Sequence, residues 1–167
     1  MRTLEAGQVI PEWSLPMTPT TIVSTAIATR DWQDVHHDRD VAQAAGSKDI
    51  FMNILTTNGL VERFVVDWAG PDTELKGIAI RLGAPAHPYD TLTFSGTVTS
   101  VEDGVATIAV VGRVSLGDHV TGTVRVVAAP SGGFETVAAQ PPQPPDSPDP
   151  VVEEGVLRPS RNPGDEA

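Results

Sequence analysis

The stretch NILTTNGLVERFVVDWAGP, Asn53 to Pro71, decides the fold. Ile54, Leu55, Leu60, Val61, Phe64, Val65 and Trp68 recur at helical spacing, and Gly70-Pro71 supplies a stop. Phe64, Val65, Val66 and Trp68 cover so much of the circumference that the second half of this helix is expected to be buried nearly all round. Such a helix is buried most simply by a sheet that curls around it.

The segments downstream supply the sheet. LKGIAIRLGAP (75–85), DTLTFSGTVTSVE (90–102), VATIAVVGRVSL (105–116) and HVTGTVRVVAA (119–129) read as consecutive long strands. Asp103-Gly104 is a hairpin signal between the second and third, and Gly117-Asp118 joins the third to the fourth. A four-strand antiparallel meander follows from that order. Upstream, the β-branched run TIVSTAIA (21–28) reads as a further strand. Asp38 to Ala45 reads as a short helix closed by Gly46 in the left-handed C′ position. Together these predict the α+β class: a single hotdog domain over residues 1–129, with an antiparallel sheet wrapped around one long central helix.

From Pro130 the composition changes. Residues 130–167 hold nine of the fifteen prolines, seven acidic residues and two arginines. Such a segment buries too little apolar surface to offset its ordering entropy, so a disordered, Pro-rich acidic tail is expected. The formal net charge of −11 argues against nucleic acid or anionic lipid as a partner, because both select basic surfaces. No apolar run approaches the roughly 20 residues that span a bilayer, and there is no cysteine, so a soluble, cytoplasmic protein is expected.

The segment DWQDVHHD (31–38) concentrates the chemistry, with two of the four histidines among three carboxylates. As a metal site it would recruit His36, His37 and Asp38, with His87 or His119. Adjacent histidines in extended chain point to opposite sides and no HxH or HExxH framework is present, so no metal is expected. As a helix start, Asp34 or Asp38 would be the cap, Asp40 would sit in the first turn and the histidines would be exposed. As a catalytic pair, Asp31 at a strand end and His36 five residues on would be folded by the turn onto one water molecule. A carboxylate and an imidazole can then share a proton removal and a proton delivery. The residues alone leave the last two readings open.

The run TRDWQDVHHDRDVA (29–42) resembles the hydratase motif of the MaoC-like, or (R)-specific enoyl-CoA hydratase, family. That motif reads small-Gly-Asp-x-Asn-Pro-aliphatic-His, then five residues, then Ala or Ser; Thr29, Asp31, Val35, His36 and Ala42 match it. The resemblance continues through GSKDIFMNIL (46–55) and GRVSLGDHVTGTVRV (112–126). DVHHDRD, GSKDIFMNIL and DWAGP (67–71) are similar to the small chains of heteromeric members that act in bacterial steroid side-chain degradation.

The resemblance implies an enoyl-CoA hydratase subunit that adds water across the α,β double bond of a steroid side-chain enoyl-CoA. It implies Asp31 and His36 as the catalytic pair and a second MaoC-like chain as partner, in a heterodimer or heterotetramer. It implies no cofactor beyond the coenzyme A that the substrate carries. In the family a His-Gly pair opens the long helix, and its N–H groups receive the thioester oxygen; Met52-Asn53 stands there, making Asn53 the substrate-binding candidate. Arg30 replaces the glycine before the aspartate and Gln33-Asp34 replaces Asn-Pro, changes that fit the steroid-type subgroup better than the short-chain enzymes. The alternatives are a hotdog thioesterase using Glu62 or Asp67, and a non-catalytic hotdog that binds acyl chains or scaffolds its partner. His37, His87 and His119 are expected in surface or loop roles.

Overall fold

Residues 4–127 are described in this computed structural model. They run β1 (Val9–Pro16), α1 (Pro19–Ala28), a 3-10 turn (Asp34–His36), α2 (Arg39–Ala44), α3 (Ile54–Ala69), β2 (Glu74–Leu82), β3 (Thr91–Glu102), β4 (Val105–Val114) and β5 (Gly117–Val127). The strands form one antiparallel sheet in the order β1-β3-β4-β5-β2, with α3 packed against it in the hotdog manner. The expectation of a disordered tail over 130–167 concerns residues outside those described.

Strands β2 to β5 lie where the sequence puts them, but they are not a four-strand meander. β2 pairs with β5, Ile78 opposite Val124, and the place beside β3 is taken by β1, Leu15 opposite Leu92. The β4–β5 turn is Ser115-Leu116, and Gly117 follows it at φ 127°. The β3–β4 turn at Asp103-Gly104 is as expected, with φ of 50° and 79°.

Residues 21–28 are helical, which corrects the strand expected there. Thr18 caps α1 by accepting from Thr21 N–H, and Pro19 takes the first turn, where its missing N–H costs nothing. Thr25 and Thr29 return their hydroxyl protons to carbonyls four residues back, so the β-branched side chains are absorbed into the helix. The buried residues Ile22 and Ala26 are spaced i, i+4, and Ile22 packs in one cluster with Ala42 and Ile50.

One face of α3, carrying Val61, Phe64, Val65 and Ala69, is buried, while Glu62, Arg63 and Asp67 are exposed. The helix is therefore amphipathic rather than enclosed all round, because the single sheet covers one side. Phe64 stacks on Phe94 at a ring separation of 5.6 Å, and Trp13 on β1 stacks on Phe94 at the same distance. Gly96 and Gly112 make room for this contact: a Cβ on Gly96 would stand 3.1 Å from the Phe64 ring, and one on Gly112 would stand 3.0 Å from that of Phe94.

α1 and α2 end alike. At the end of α2, Gly46 at φ 90° donates to Gln43 O while Ser47 N–H donates to Ala42 O. After α1, Arg30 at φ 57° donates to Ile27 O while Asp31 N–H donates to Ala26 O. Both are Schellman closures, and the second one fixes Asp31. Arg30 pays a left-handed penalty that glycine avoids. Arg30→Gly is therefore expected to raise stability by up to about 1 kcal/mol, and Gly46→Ala to lower it by a similar amount, in denaturant unfolding.

His119 on β5 is buried, 2% exposed, which corrects its expected surface position. The turn lies two residues earlier than its glycine suggests, so residue 119 falls inside the strand. Burial lowers its pKa, against a smaller upward push from its hydrogen bond to Ala84. The unfolded chain then binds the proton more readily, so the contribution is present above about 6.5 and is lost as pH falls below it. Stability measured between about pH 7 and 5 is expected to decline more steeply in the wild type than in His119→Gln.

Candidate active site

The end of α1 delivers Asp31, and the 3-10 turn that follows folds His36 back toward it. Their side chains meet with Nε2 of His36 3.4 Å from Oδ2 of Asp31. His36 is buried, 5% exposed, and its Nδ1 lies 2.7 Å from Phe51 O. A carbonyl only accepts, so Nδ1 carries a proton and Nε2 is the nitrogen that faces Asp31. The Phe51 ring packs edge-on against the imidazole at 5.0 Å and fixes its plane.

Asn53 holds the other half of the pair. It is the N-cap of α3: Oδ1 accepts from Thr56 N–H at 3.0 Å, while Nδ2 donates to Asp31 Oδ2 at 3.0 Å and to Thr29 Oγ1 at 2.8 Å. The sequence singles out Asn53 for its main-chain N–H; the side chain's grip on Asp31 is a function that sequence reasoning misses. Helix geometry leaves the first N–H groups of α3 without partners in the helix, and Thr57 N–H is the first to reach back, to Asn53 O at 3.2 Å. The N–H groups of Ile54 and Leu55 thus have no partner within the helix.

Asp31, His36 and Asn53 border an open pocket of about 280 Å³. Asp31, His36, Phe51, Asn53 and Ile54 contribute from one part of the chain, and Leu82–Pro85 with His119 from another. Ile54, Leu55 and Leu82 are large apolar side chains left 48%, 48% and 37% exposed in the single chain.

The remaining candidates separate from this site. Asp38 caps α2, accepting from Asp40 and Val41 N–H, and its neighbour His37 faces solvent near Asp34. This is the helix-start role expected of Asp38. His87 is in a loop as expected but is buried there, with Nδ1 donating to Ile50 O. Glu62 is exposed on the outer side of α3, and Asp67 pairs with Arg63 at 3.2 Å; neither lines the Asp31 pocket. Asp67 borders a separate apolar groove with Trp13, Phe64 and Trp68. Among the described residues no group of three or more His, Asp or Glu side chains is placed to hold a metal ion, and no helix is long and apolar enough to cross a membrane.

The family model described as a MaoC like domain matches residues 4–120. The 3-oxo-4,17-pregnadiene-20-carboxyl-CoA hydratase beta subunit of Mycobacterium tuberculosis is 64% identical over 120 residues, 72% of this chain and 93% of that protein. A chain in the crystal structure of the ChsH1-ChsH2 complex from Mycobacterium tuberculosis superposes with a TM-score of 0.75 at 61% identity, covering 76% of this chain and all of the other. The (R)-hydratase from A. caviae involved in PHA biosynthesis shares the fold at 19% identity and a TM-score of 0.68, over 77% of this chain and 100% of that one. The chain belongs to the MaoC-like domain family.

Proposed function

We propose that this protein is a cytoplasmic enoyl-CoA hydratase subunit that adds water across the α,β double bond of a steroid side-chain acyl-CoA, working with a second MaoC-like hydratase chain. The observation that carries the reading is the pairing of half-buried Asp31 with buried His36 beside the start of α3, in a chain 64% identical to a hydratase subunit. Ile54 and Leu82, which line the pocket and stay partly exposed, suit a wall completed by the partner. Coenzyme A arrives with the substrate, and no further cofactor enters the chemistry.

The geometry supports the following steps. With Nδ1–H committed to Phe51 O, a neutral His36 offers the Nε2 lone pair, and the Asp31 carboxylate is a second acceptor beside it. A water that donates one proton to each has its oxygen lone pair directed at the β carbon. As the C–O bond forms, the pair takes one water proton and charge moves onto the thioester oxygen. The N–H groups of Asn53 and Ile54 face that oxygen with the positive end of the helix. The proton is then returned to the α carbon. One O–H bond and the C=C π bond are broken, one C–O and one C–H bond are formed, and the pair ends as it began.

On a 17-ene 20-carboxyl thioester, the ring system named in the relative, the α carbon is position 20 and the β carbon is ring position 17, so the product carries a ring hydroxyl. With the second subunit co-expressed, Asp31→Asn and His36→Gln are each expected to lower steroid enoyl-CoA hydration by about 10²–10⁴-fold without loss of assembly. Unimpaired turnover in both variants would sink the reading. Asn53→Ala removes both the cap and the hold on Asp31, so it is expected to lower kcat by about 10-fold or more and stability by about 1 kcal/mol.

A further inference from the structure

His119 is a buried histidine that the hydration chemistry leaves unused, yet it lines the same pocket as Asp31 and His36. Its Nδ1 lies 2.8 Å from Ala84 O and its Nε2 lies 2.9 Å from Thr57 Oγ1. Ala84 belongs to the pocket wall that follows β2, and Thr57 to the first turn of α3, one turn beyond Asn53. The imidazole therefore spans the two segments between which the pocket opens. Close pairing of the wall with β5 supports the same fixed spacing: Gly83 and Ala84 N–H donate to His119 O and Asp118 O at 2.8 Å each, and a Cβ on Gly83 would meet Asp118 O at 2.3 Å.

The hydrogen bonds have a determined direction. Ala84 O can only accept, so Nδ1 carries the proton; in the neutral ring Nε2 is bare, and the Thr57 hydroxyl donates to it. Burial, which lowers the His119 pKa, favours that neutral form. Thr57 Oγ1 also lies 3.2 Å from Asn53 O, at the residue that grips Asp31. A protonated ring would donate to Thr57 and turn the hydroxyl proton toward Asn53 O, a different arrangement at the base of the site.

Resting on the hydratase reading above, we propose that His119 is a positioning residue: a strut from Thr57 to Ala84 that sets the distance between the start of α3 and the Leu82–Pro85 wall. It thereby holds the acyl thioester in register with Asp31 and His36. It touches neither the water nor the double bond.

The test uses the full chain in complex with its second subunit and a steroid enoyl-CoA. Thr57→Val keeps the shape and removes one end of the strut, Thr57→Ser restores the hydroxyl, and His119→Phe removes both ends. Thr57→Val is expected to lower kcat by about 10-fold while KM changes by less than about twofold, because misplacement of bound substrate is lost in the transition state. Thr57→Ser is expected to stay near wild type, and the double variant Thr57→Val with His119→Phe to be no slower than His119→Phe alone. If His119→Phe fails to fold, the Thr57 pair decides. Wild-type kcat in Thr57→Val, or a change in KM alone, overturns the strut while an inactive Asp31→Asn leaves the hydratase reading standing. Unimpaired Asp31→Asn would remove that reading and the strut with it.

Discussion

The amide of Asn53 is the contact on which the site depends. Its oxygen closes the N-terminus of α3 and its nitrogen closes on Asp31, so one planar group ties the helix that organises the core to the carboxylate beside His36. An N-cap is ordinarily worth about 1 kcal/mol, and a hydrogen bond to a charged acceptor about 1.5–3 kcal/mol. The amide supplies at once the acceptor that the cap needs and the two N–H donors that Asp31 and Thr29 receive. A glycine, the residue expected here from the motif resemblance, would leave both to other groups.

Everything around that amide is arranged to keep it in place. Thr29 accepts the second Nδ2 proton and is itself bonded back into α1, whose Schellman closure sets Asp31. Phe51, two residues before Asn53, supplies the carbonyl that orients His36. Met52 between them donates to Ala86 O, which joins the segment to the far side of the pocket. The aromatic stack of Trp13, Phe94 and Phe64 then fixes α3 on the sheet. Active-site geometry is thus inherited from core packing through a few short covalent steps.

What was legible in the sequence was local. The period of α3, the alternation of β3 and β4, the Asp103-Gly104 turn, the Asp38 cap and the Gly46 closure each depend on residues a few positions apart, and each is present. The register of Asp31 and His36 is likewise a short-range signal, and the structure brings the two together. Long-range facts were not legible. Which strand neighbours β2 depends on chain crossing, and β1, interrupted by Pro11, Pro16 and a register shift, shows no clean alternation. The helix α1 hides because β-branched residues suggest a strand until the Thr18-Pro19 cap is weighed. His119 hides because two residues of turn placement separate a surface position from a buried one. The side-chain role of Asn53 needs Asp31 to lie beside it in space, 22 positions away in the chain.

The most direct measurement is a structure of the two-subunit complex with a saturated, unreactive steroid acyl-CoA bound. The account predicts the thioester oxygen at the N–H groups that open α3, and a water within hydrogen-bond reach of both Asp31 and His36 Nε2, aimed at the β carbon. An acyl group seated away from that pair, as in the groove beside Trp13 and Trp68, would contradict it.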